Sequence, residues 1–309
     1  MIMQYSLILP IFNEQENIET LYSRIDKVMK QIDRSYEIIF INDGSTDKSQ
    51  VILTALAKKN KAVKVINFSR NFGHQIAVTA GLNHSSGEVV AILDADLQDP
   101  PEVLPSFFKK LSEGYDVVYA IRRHRKESIP KRIMYYLFYR LLRLVANISI
   151  PLDSGDFCVM SRRVVLLLKN LPERNRFIRG LRSWVGFRQT GLTYERQSRM
   201  AGKSKYTLAK MFKLAFDGIF SFSYIPLQLL TWGGFIFLAL AFFGIILTLY
   251  AKLFTDIFIP RGFPTTIIVI LFIGGMNMFS LGIIGEYIGR IYDEIKQRQL
   301  YIVESKLNF

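Results

Sequence analysis

The stretch Val89-Val90-Ala91-Ile92-Leu93-Asp94-Ala95-Asp96-Leu97-Gln98-Asp99-Pro100 decides the fold. Its apolar half has no polar alternation and reads as a strand buried on both faces. Two carboxylates one residue apart then close it. The same design occurs upstream, where Ser6–Phe12 runs into Asn13-Glu14 and Glu37–Asn42 runs into Asp43-Gly44-Ser45-Thr46-Asp47. Val63–Phe68 and Val117–Ile121 are further strand-like runs, and Asn17–Ile32, Asp47–Lys59, Gln75–Asn83 and Pro101–Leu111 between them have helical spacing. Short apolar strands alternating with helices predict an α/β unit with a mostly parallel sheet covered on both faces. Right-handed crossovers bring the strand C-terminal ends to one edge, and open α/β sheets bind their ligands there.

The chain has 309 residues and is half hydrophobic, which excludes a disordered or collagen-like protein. The apolar content is uneven. No charged residue occurs from Gly218 to Ala251 or from Gly262 to Gly285. Each stretch exceeds the ~20 residues that span a bilayer. We therefore expect a hairpin with spans at about 227–250 and 265–284, each preceded by a proline, Pro226 and Pro264. Asn277 is the most polar residue of the second span. No signal peptide is expected, because the run Tyr5–Phe12 has no basic flank before it. Of 40 Lys and Arg residues, only Lys252 and Arg261 fall between the spans, so the positive-inside rule puts both termini in the cytoplasm. The expected localisation is the cytoplasmic membrane, with the catalytic unit and the charged tail 286–309 on the cytoplasmic side.

The net charge of +14 fits a membrane-surface patch better than a nucleic-acid partner, because the basic residues sit beside apolar and aromatic runs. In Lys131–Ile150, Arg132, Tyr136, Arg140 and Arg143 share one helical face, as in an interfacial helix or in a packed helix with a solvated face, and the two apolar stretches that follow favour the first. Thr207–Phe220 repeats the theme with Lys210, Lys213 and Asp217. The expected order is a catalytic domain 1–206, a juxtamembrane amphipathic helix 207–225, the hairpin 226–285 and the tail. The single cysteine, Cys158, excludes an internal disulfide and reads as a small buried hydrophobe. His74 and His84 read as packing or helix-surface residues rather than ligands.

Several of the acidic residues have a local reading as well. Asp43-Gly44 suits a turn, Asp47 a helix N-cap, and Asp99-Pro100-Pro101 a helix start. Asp94 and Asp96 are harder to assign locally. Like charges this close at the end of a buried strand repel unless a cation lies nearby. Hard oxygen donors select Mg²⁺ or Mn²⁺. Such a cation, without a glycine-rich phosphate loop, suits assistance to a departing diphosphate. Neither G-x-x-x-x-G-K-[ST] nor G-x-G-x-x-G occurs, so neither an ATPase P-loop nor a dinucleotide fold is supported.

Pro10-Ile11-Phe12-Asn13-Glu14, Asn42 to Asp47 and Asp94 to Pro100 together resemble the family-2 glycosyltransferases of GT-A fold. Ser154-Gly155-Asp156-Phe157, the run Arg199-Met200-Ala201-Gly202-Lys203-Ser204-Lys205-Tyr206 and the two apolar stretches narrow the likeness. The chain is similar to polyprenyl-phosphate glycosyltransferases: the dolichol-phosphate mannose synthases and, more closely in its hairpin, the bactoprenol-phosphate glucosyltransferases. The resemblance implies a GT-A, Rossmann-like domain followed by interfacial helices and a two-helix transmembrane hairpin. It implies that Pro10, Asn13, Glu14 and Asp43 hold the nucleoside and that Asp94 contacts the ribose or the metal's water. Asp96 is then the principal metal ligand, helped by Gln98. Asp156 is the acceptor-side catalytic aspartate, acting as much by orienting the acceptor as by removing a proton. Arg199, Lys203 and Lys205 close over the phosphates, and Arg122 meets the acceptor phosphate, while Arg123–Lys126 equally suits the membrane surface.

The implied reaction is an inverting, metal-dependent transfer of one hexose, glucose from UDP-glucose by resemblance alone, to a polyisoprenyl phosphate. Processive synthases of this fold carry Gln-x-x-Arg-Trp, which is absent here, so a single transfer is preferred. The rival readings are transfer to another membrane lipid, such as a diacylglycerol, and a non-catalytic nucleotide-sugar binder. The expected partners are the nucleotide sugar, the polyprenyl phosphate and membrane lipids, and the apolar span faces permit a homo-oligomer.

Overall fold

A computed structural model describes residues 4–123, 154–174, 176–195, 225–254 and 262–309. The chain divides into two compact units, one of Met1–Gly218 with Arg298–Phe309 and one of Ile219–Gln297.

The first unit begins with β1 (Tyr5–Ile11), α1 (Ile18–Ile32), β2 (Tyr36–Asn42), α2 (Ser49–Lys59), β3 (Val63–Phe68), α3 (His74–His84) and β4 (Val89–Ile92). A 3-10 turn at Pro101–Val103 leads into α4 (Leu104–Ser112), and β5 (Val117–Arg123) follows. Strands β1, β2, β3 and β4 pair in parallel, as the unbroken apolar runs require. Leu7, Ile8, Leu9, Ile38, Ile39 and Phe40 have no exposed surface. Helix α3 lies so close to the sheet that a Cβ at Gly81 would come within 2.2 Å of Ile8 Cγ2.

The remaining elements were not expected from apolar runs. They are β6 (Ser154–Ser161), α5 (Arg162–Asn170), α6 (Ile178–Trp184), β7 (Gln189–Glu195) and β8 (Val303–Leu307). The sheet has eight strands in the order β7-β5-β6-β4-β1-β2-β3-β8. It is mixed rather than purely parallel, since β6 runs antiparallel to β4 and β5, and β8 antiparallel to β3. The direction of β6 matters for function. Ile92 pairs with Cys158, so the chain that leaves β4 through Asp94 and the part of β6 that carries Asp156 reach the same edge, where the parallel strands end.

At the opposite edge the buried Glu37 Oε1 accepts hydrogen bonds from Ser6 Oγ (2.5 Å), Ser86 N–H (2.7 Å) and Ser86 Oγ (2.8 Å). Its Oε2 pairs with Lys64 Nζ at 2.6 Å. The residues expected to form a charged tail instead divide in two. The helix continues to Lys296, and the end of the chain completes the sheet as β8. Asn308 Nδ2 fixes that end by donating to the carbonyls of Ala57 and Val63.

The second unit consists of α7 (Ile225–Phe254) and α8 (Phe263–Lys296). Their 30 and 34 residues correspond to about 45 and 51 Å of helix. The expected spans 227–250 and 265–284 fall within them. Helix α8 outruns its apolar stretch because Glu286 and Arg290 pair at 2.9 Å across one turn and Lys296 ends the helix favourably. Among the described residues no helix is long and apolar enough to cross a membrane. The side chains at 237–238, 241, 245, 247–249 and 251–253 of α7, and at 263–265, 267–268 and 271 of α8, lie outside those described. The expected interfacial helices at 131–150 and 207–220 lie outside them too.

Candidate active site

The loops after β1 and β2 are knitted together at the C-terminal edge of the sheet. Asn13, left-handed at φ 53°, accepts from Thr46 N–H at 2.7 Å, and its own N–H donates to Ser45 Oγ at 3.0 Å. Glu14 N–H donates to Ser49 Oγ at 3.1 Å, and Glu14 Oε2 accepts from Asn17 Nδ2 at 2.7 Å. Pro10 is the penultimate residue of β1. Gly44, at φ 65°, passes so near the 69–73 loop that a Cβ would lie 2.4 Å from the Arg70 carbonyl carbon. That close approach lets Asp43, almost fully buried, gather the loop. Asp43 accepts from Phe72 N–H (2.7 Å), Gly73 N–H (3.0 Å) and Asn71 Nδ2 (3.0 Å). Burial raises its pKa even so, against the opposing pull of the two backbone donors.

After β4 the chain turns through Leu97, a buried residue held at φ 58°. A branched apolar residue in this region is uncommon and costs on the order of 1 kcal/mol or more. The turn presents Asp96 and Gln98 together, with Asp96 Oδ1 accepting from Gln98 N–H at 3.2 Å. Asp99 is buried and accepts from the Tyr194 hydroxyl of β7. Tyr194 in turn packs edge-on to Phe157, which stacks on Phe107 at 4.8 Å.

Asp156 is 7% exposed and has both oxygens engaged. Arg179 of α6 donates from Nε to Oδ1 at 2.6 Å and from Nη2 to Oδ2 at 3.0 Å. Gln75 Nε2 donates to Oδ2 at 3.4 Å, while Gln75 Oε1 accepts from Ile178 N–H at 2.9 Å and so ties down the start of α6. Burial alone would raise the Asp156 pKa, but Arg179 and His74 overcome it and hold the carboxyl well below its usual value. His74 opens α3, with Nε2 lying 3.6 Å from Asp94 Oδ1 and 3.4 Å from Asp156 Oδ2. Burial lowers the imidazole pKa, yet the two carboxylates raise it to about 9. Asp94 is pushed up to about 6, chiefly by burial and further by Asp99, Asp156 and Asp96, with His74 opposing.

The structure therefore gathers Asp43, Asp94, Asp96, Gln98 and Asp156 along one sheet edge, beside Asn13 and Glu14. Arg122 is placed by backbone pairing with Tyr194, and its side chain lies outside the described residues. Arg199, Lys203 and Lys205 lie outside them altogether. Among the described residues no group of three or more His, Cys, Asp or Glu side chains is arranged to hold a metal ion. Cys158 is buried, and burial pushes its thiol pKa up. His84 packs as expected, with Nδ1 2.9 Å from the Ala80 carbonyl.

Three site residues escaped the sequence reading. The sequence reads His74 as a packing or helix-surface residue and gives Gln75 and Arg179 no role. His74 had a usable signal, because Asn71-Phe72-Gly73-His74 follows β3 at the same edge that singled out the other loops. Arg179 had none, since only the fold-back of β6 and α6 brings it to Asp156.

Residues 6–167 match glycosyl transferase family 2, and residues 225–291 match the GtrB C-terminal hairpin. A glycosyltransferase of Bacillus subtilis (strain 168), itself uncharacterized, is 48% identical over 98% of this chain and 94% of its own length. The bactoprenol glucosyl transferase of Shigella phage SfV is 40% identical over 98% of this chain and 99% of its own. A solved structure, the glucosyl-3-phosphoglycerate synthase of Mycobacterium tuberculosis with Mg²⁺ and uridine diphosphate, aligns with a TM-score of 0.48 at 20% identity. That alignment covers 71% of this chain and 77% of the other, a likeness too distant to inform the site. With a family match over more than half the chain and relatives along nearly all of it, the protein belongs to glycosyl transferase family 2 and carries the GtrB hairpin at its C-terminal end.

Proposed function

We propose that this glycosyltransferase moves one glucose from UDP-glucose to the phosphate of a polyisoprenyl lipid, with inversion, at the cytoplasmic face of the membrane. The observation that carries the reading is the convergence on one sheet edge of a donor-side cluster, Asp94-Ala95-Asp96-Leu97-Gln98, and an acceptor-side pair, Asp156 with Arg179. The full-length likeness to bactoprenol glucosyl transferases supports the choice of sugar and acceptor. Trp232, Phe235 and Phe242 are exposed on α7, and Phe272 and Phe279 on α8, as a bilayer hairpin requires. That hairpin anchors the enzyme where the acceptor's tail lies.

The donor set suits a divalent cation. Mg²⁺ is commonly held by one or two carboxylates together with substrate phosphates, rather than by an all-protein cage. Burial pushes Asp94 up to about 6, and the nearby Asp99, Asp156 and Asp96 add to it, a concentration of negative charge that a cation would relieve. Asp96 and Gln98 would hold the ion. A bound divalent cation supplies charge neutralisation for the departing nucleoside diphosphate.

The rest falls to the protein's own side chains. Asn13, Glu14 and Pro10 line the nucleoside end, and Asp43 holds the 69–73 loop beside them. The acceptor is a phosphate monoester, whose second pKa of about 6 leaves it largely dianionic at neutral pH. It needs no general base. Asp156 is also badly suited to be one, because Arg179 occupies both its oxygens and its pKa is depressed. Its part is to orient Arg179 and the acceptor pocket.

A panel of sugar nucleotides incubated with the membrane-embedded protein and undecaprenyl phosphate tests this reading. UDP-glucose should give a glucolipid and the other donors little. Glucose appearing on diacylglycerol, with none on the lipid phosphate, would favour the rival acceptor.

A further inference from the structure

We propose that His74 is a positioning residue of the transfer: a cationic clamp between donor-side Asp94 and acceptor-side Asp156 that fixes the separation of the two substrates. The inference rests on the transfer reading above and goes beyond it, because that reading gives His74 no part; on the donor side His74 meets Asp94 rather than the expected metal ligands Asp96 and Gln98.

The geometry is specific. Asp94 follows the end of β4 and Asp156 lies on the neighbouring β6, and the two carboxylates approach a common point at His74, where like charges repel unless a cation lies between them. His74 Nε2 is buried between them, 3.6 Å from one and 3.4 Å from the other, and makes no hydrogen bond among the described residues. The side chain is nevertheless 37% exposed, so part of the ring faces solvent. Placing a cation at the first residue of a helix opposes the helix dipole. Helix stability therefore does not account for it, and the two carboxylates do.

The clamp belongs to a continuous strap. Asn71, Phe72 and Gly73 donate to Asp43, His74 joins Asp94 to Asp156, and Gln75 bonds both Asp156 and Ile178, the residue before Arg179. Five consecutive residues thus touch the nucleoside-side, donor-side and acceptor-side clusters. The groups facing His74 are Asp94 and Asp156, with Arg179 and Asp43 near enough to act on it through space. A pKa raised to about 9 keeps the ring protonated at neutral pH, in agreement with this geometry.

A packing residue and a charge clamp respond differently to substitution. In the full-length enzyme, His74→Gln keeps much of the shape and removes the charge, whereas His74→Lys restores a cation. The clamp predicts that His74→Gln lowers kcat by about 30-fold, within the ~10²-fold that a 1 Å misplacement costs. The KM for the sugar nucleotide should change by less than kcat does, because His74 reaches the donor only through Asp94, while Asn13, Glu14 and Asp43 keep their own contacts. His74→Lys should recover kcat to within about five-fold of wild type. A fully active Gln variant, or a Lys variant no better than Gln, overturns the clamp. Thermal unfolding of both variants identifies any that fail to fold.

A second readout does not need turnover. The chain has 3 histidines, so the ring signals of ¹⁵N-histidine-labelled protein that vanish in His74→Gln belong to His74. At pH 7.5 both its nitrogens should carry protons, and a neutral ring there overturns the proposal. A protonated ring in an enzyme that fails on polyprenyl phosphate supports the clamp and overturns only the choice of acceptor.

Discussion

Removing Arg179 should destabilise the catalytic unit measurably. Its side chain is 13% exposed and that of Asp156 only 7%, and the two bonds between them measure 2.6 and 3.0 Å. Truncating one partner of such a pair leaves a buried charge uncompensated, which costs about 3–5 kcal/mol. His74 and Gln75 remain beside Asp156 and should soften the loss, so we expect the lower end, about 3 kcal/mol, for Arg179→Ala. For a domain of this size each kcal/mol shifts Tm by about 2–4 °C, giving a fall of about 6–12 °C. Thermal denaturation of the purified protein measures it. Asp156→Asn removes the stranded charge, so adding it to Arg179→Ala should cost little more than Arg179→Ala alone. The coupling in that double-mutant cycle should be about 1–3 kcal/mol. A Tm fall below about 2 °C, or additive single changes, refutes the claim that Arg179 and Asp156 act as a unit.

At the far edge, Glu37 has a pKa held below its ordinary value: burial pushes it up, but Lys64, Ser6 and Ser86 together outweigh that. Its stabilisation is therefore present above the unfolded-state pKa and lost as pH falls through the lower folded-state value. Glu37→Gln should lower Tm at pH 7, and the difference from wild type should shrink on acidification below about pH 4 in a series of thermal melts. Asp156→Asn should lose about 10²-fold in transfer rate by the same factor from pH 6 to 9, because the residue does not act as the base; recovery with rising pH would restore a base role. Asp96→Ala should abolish transfer, with Gln98→Ala milder, and EDTA should stop the wild type until Mg²⁺ or Mn²⁺ is returned; full activity after exhaustive chelation removes the metal from the account. A cysteine introduced at Phe258, with Cys158 replaced, should react with an impermeant reagent added outside intact cells, whereas reaction at Gln50 instead would reverse the topology.

The first half of the catalytic unit was legible because buried parallel strands are written as unbroken apolar runs. Val63–Phe68 was read to the residue, and Tyr5–Ile11 and Val89–Ile92 to within one at either end. Strands β6, β7 and β8 were not. Ser154–Ser161 opens on Ser-Gly-Asp, Gln189–Glu195 is polar and half-buried, and Val303–Leu307 has exposed polar residues at its centre. Each depends on a neighbouring strand rather than on its own pattern. The acidic clusters were legible because strand ends converge on one edge whatever the details of packing. His74 and Arg179 were not, because their role comes from antiparallel β6, which brings Asp156 to the edge where β4 ends. Leu97 at φ 58° was equally invisible, since nothing in a leucine announces a left-handed turn.

The most direct test of the central claim is the structure of the product. Purified protein, UDP-glucose, Mg²⁺ and undecaprenyl phosphate should yield one UDP for each glucolipid formed, with Asp96→Ala as the blank. NMR of that lipid should show a single glucose joined through a β-glycosidic phosphodiester, inverted from the α-linked donor. An α-linked phosphodiester would contradict inversion, and glucose attached to a lipid hydroxyl, or no lipid product at all, would contradict transfer to phosphate.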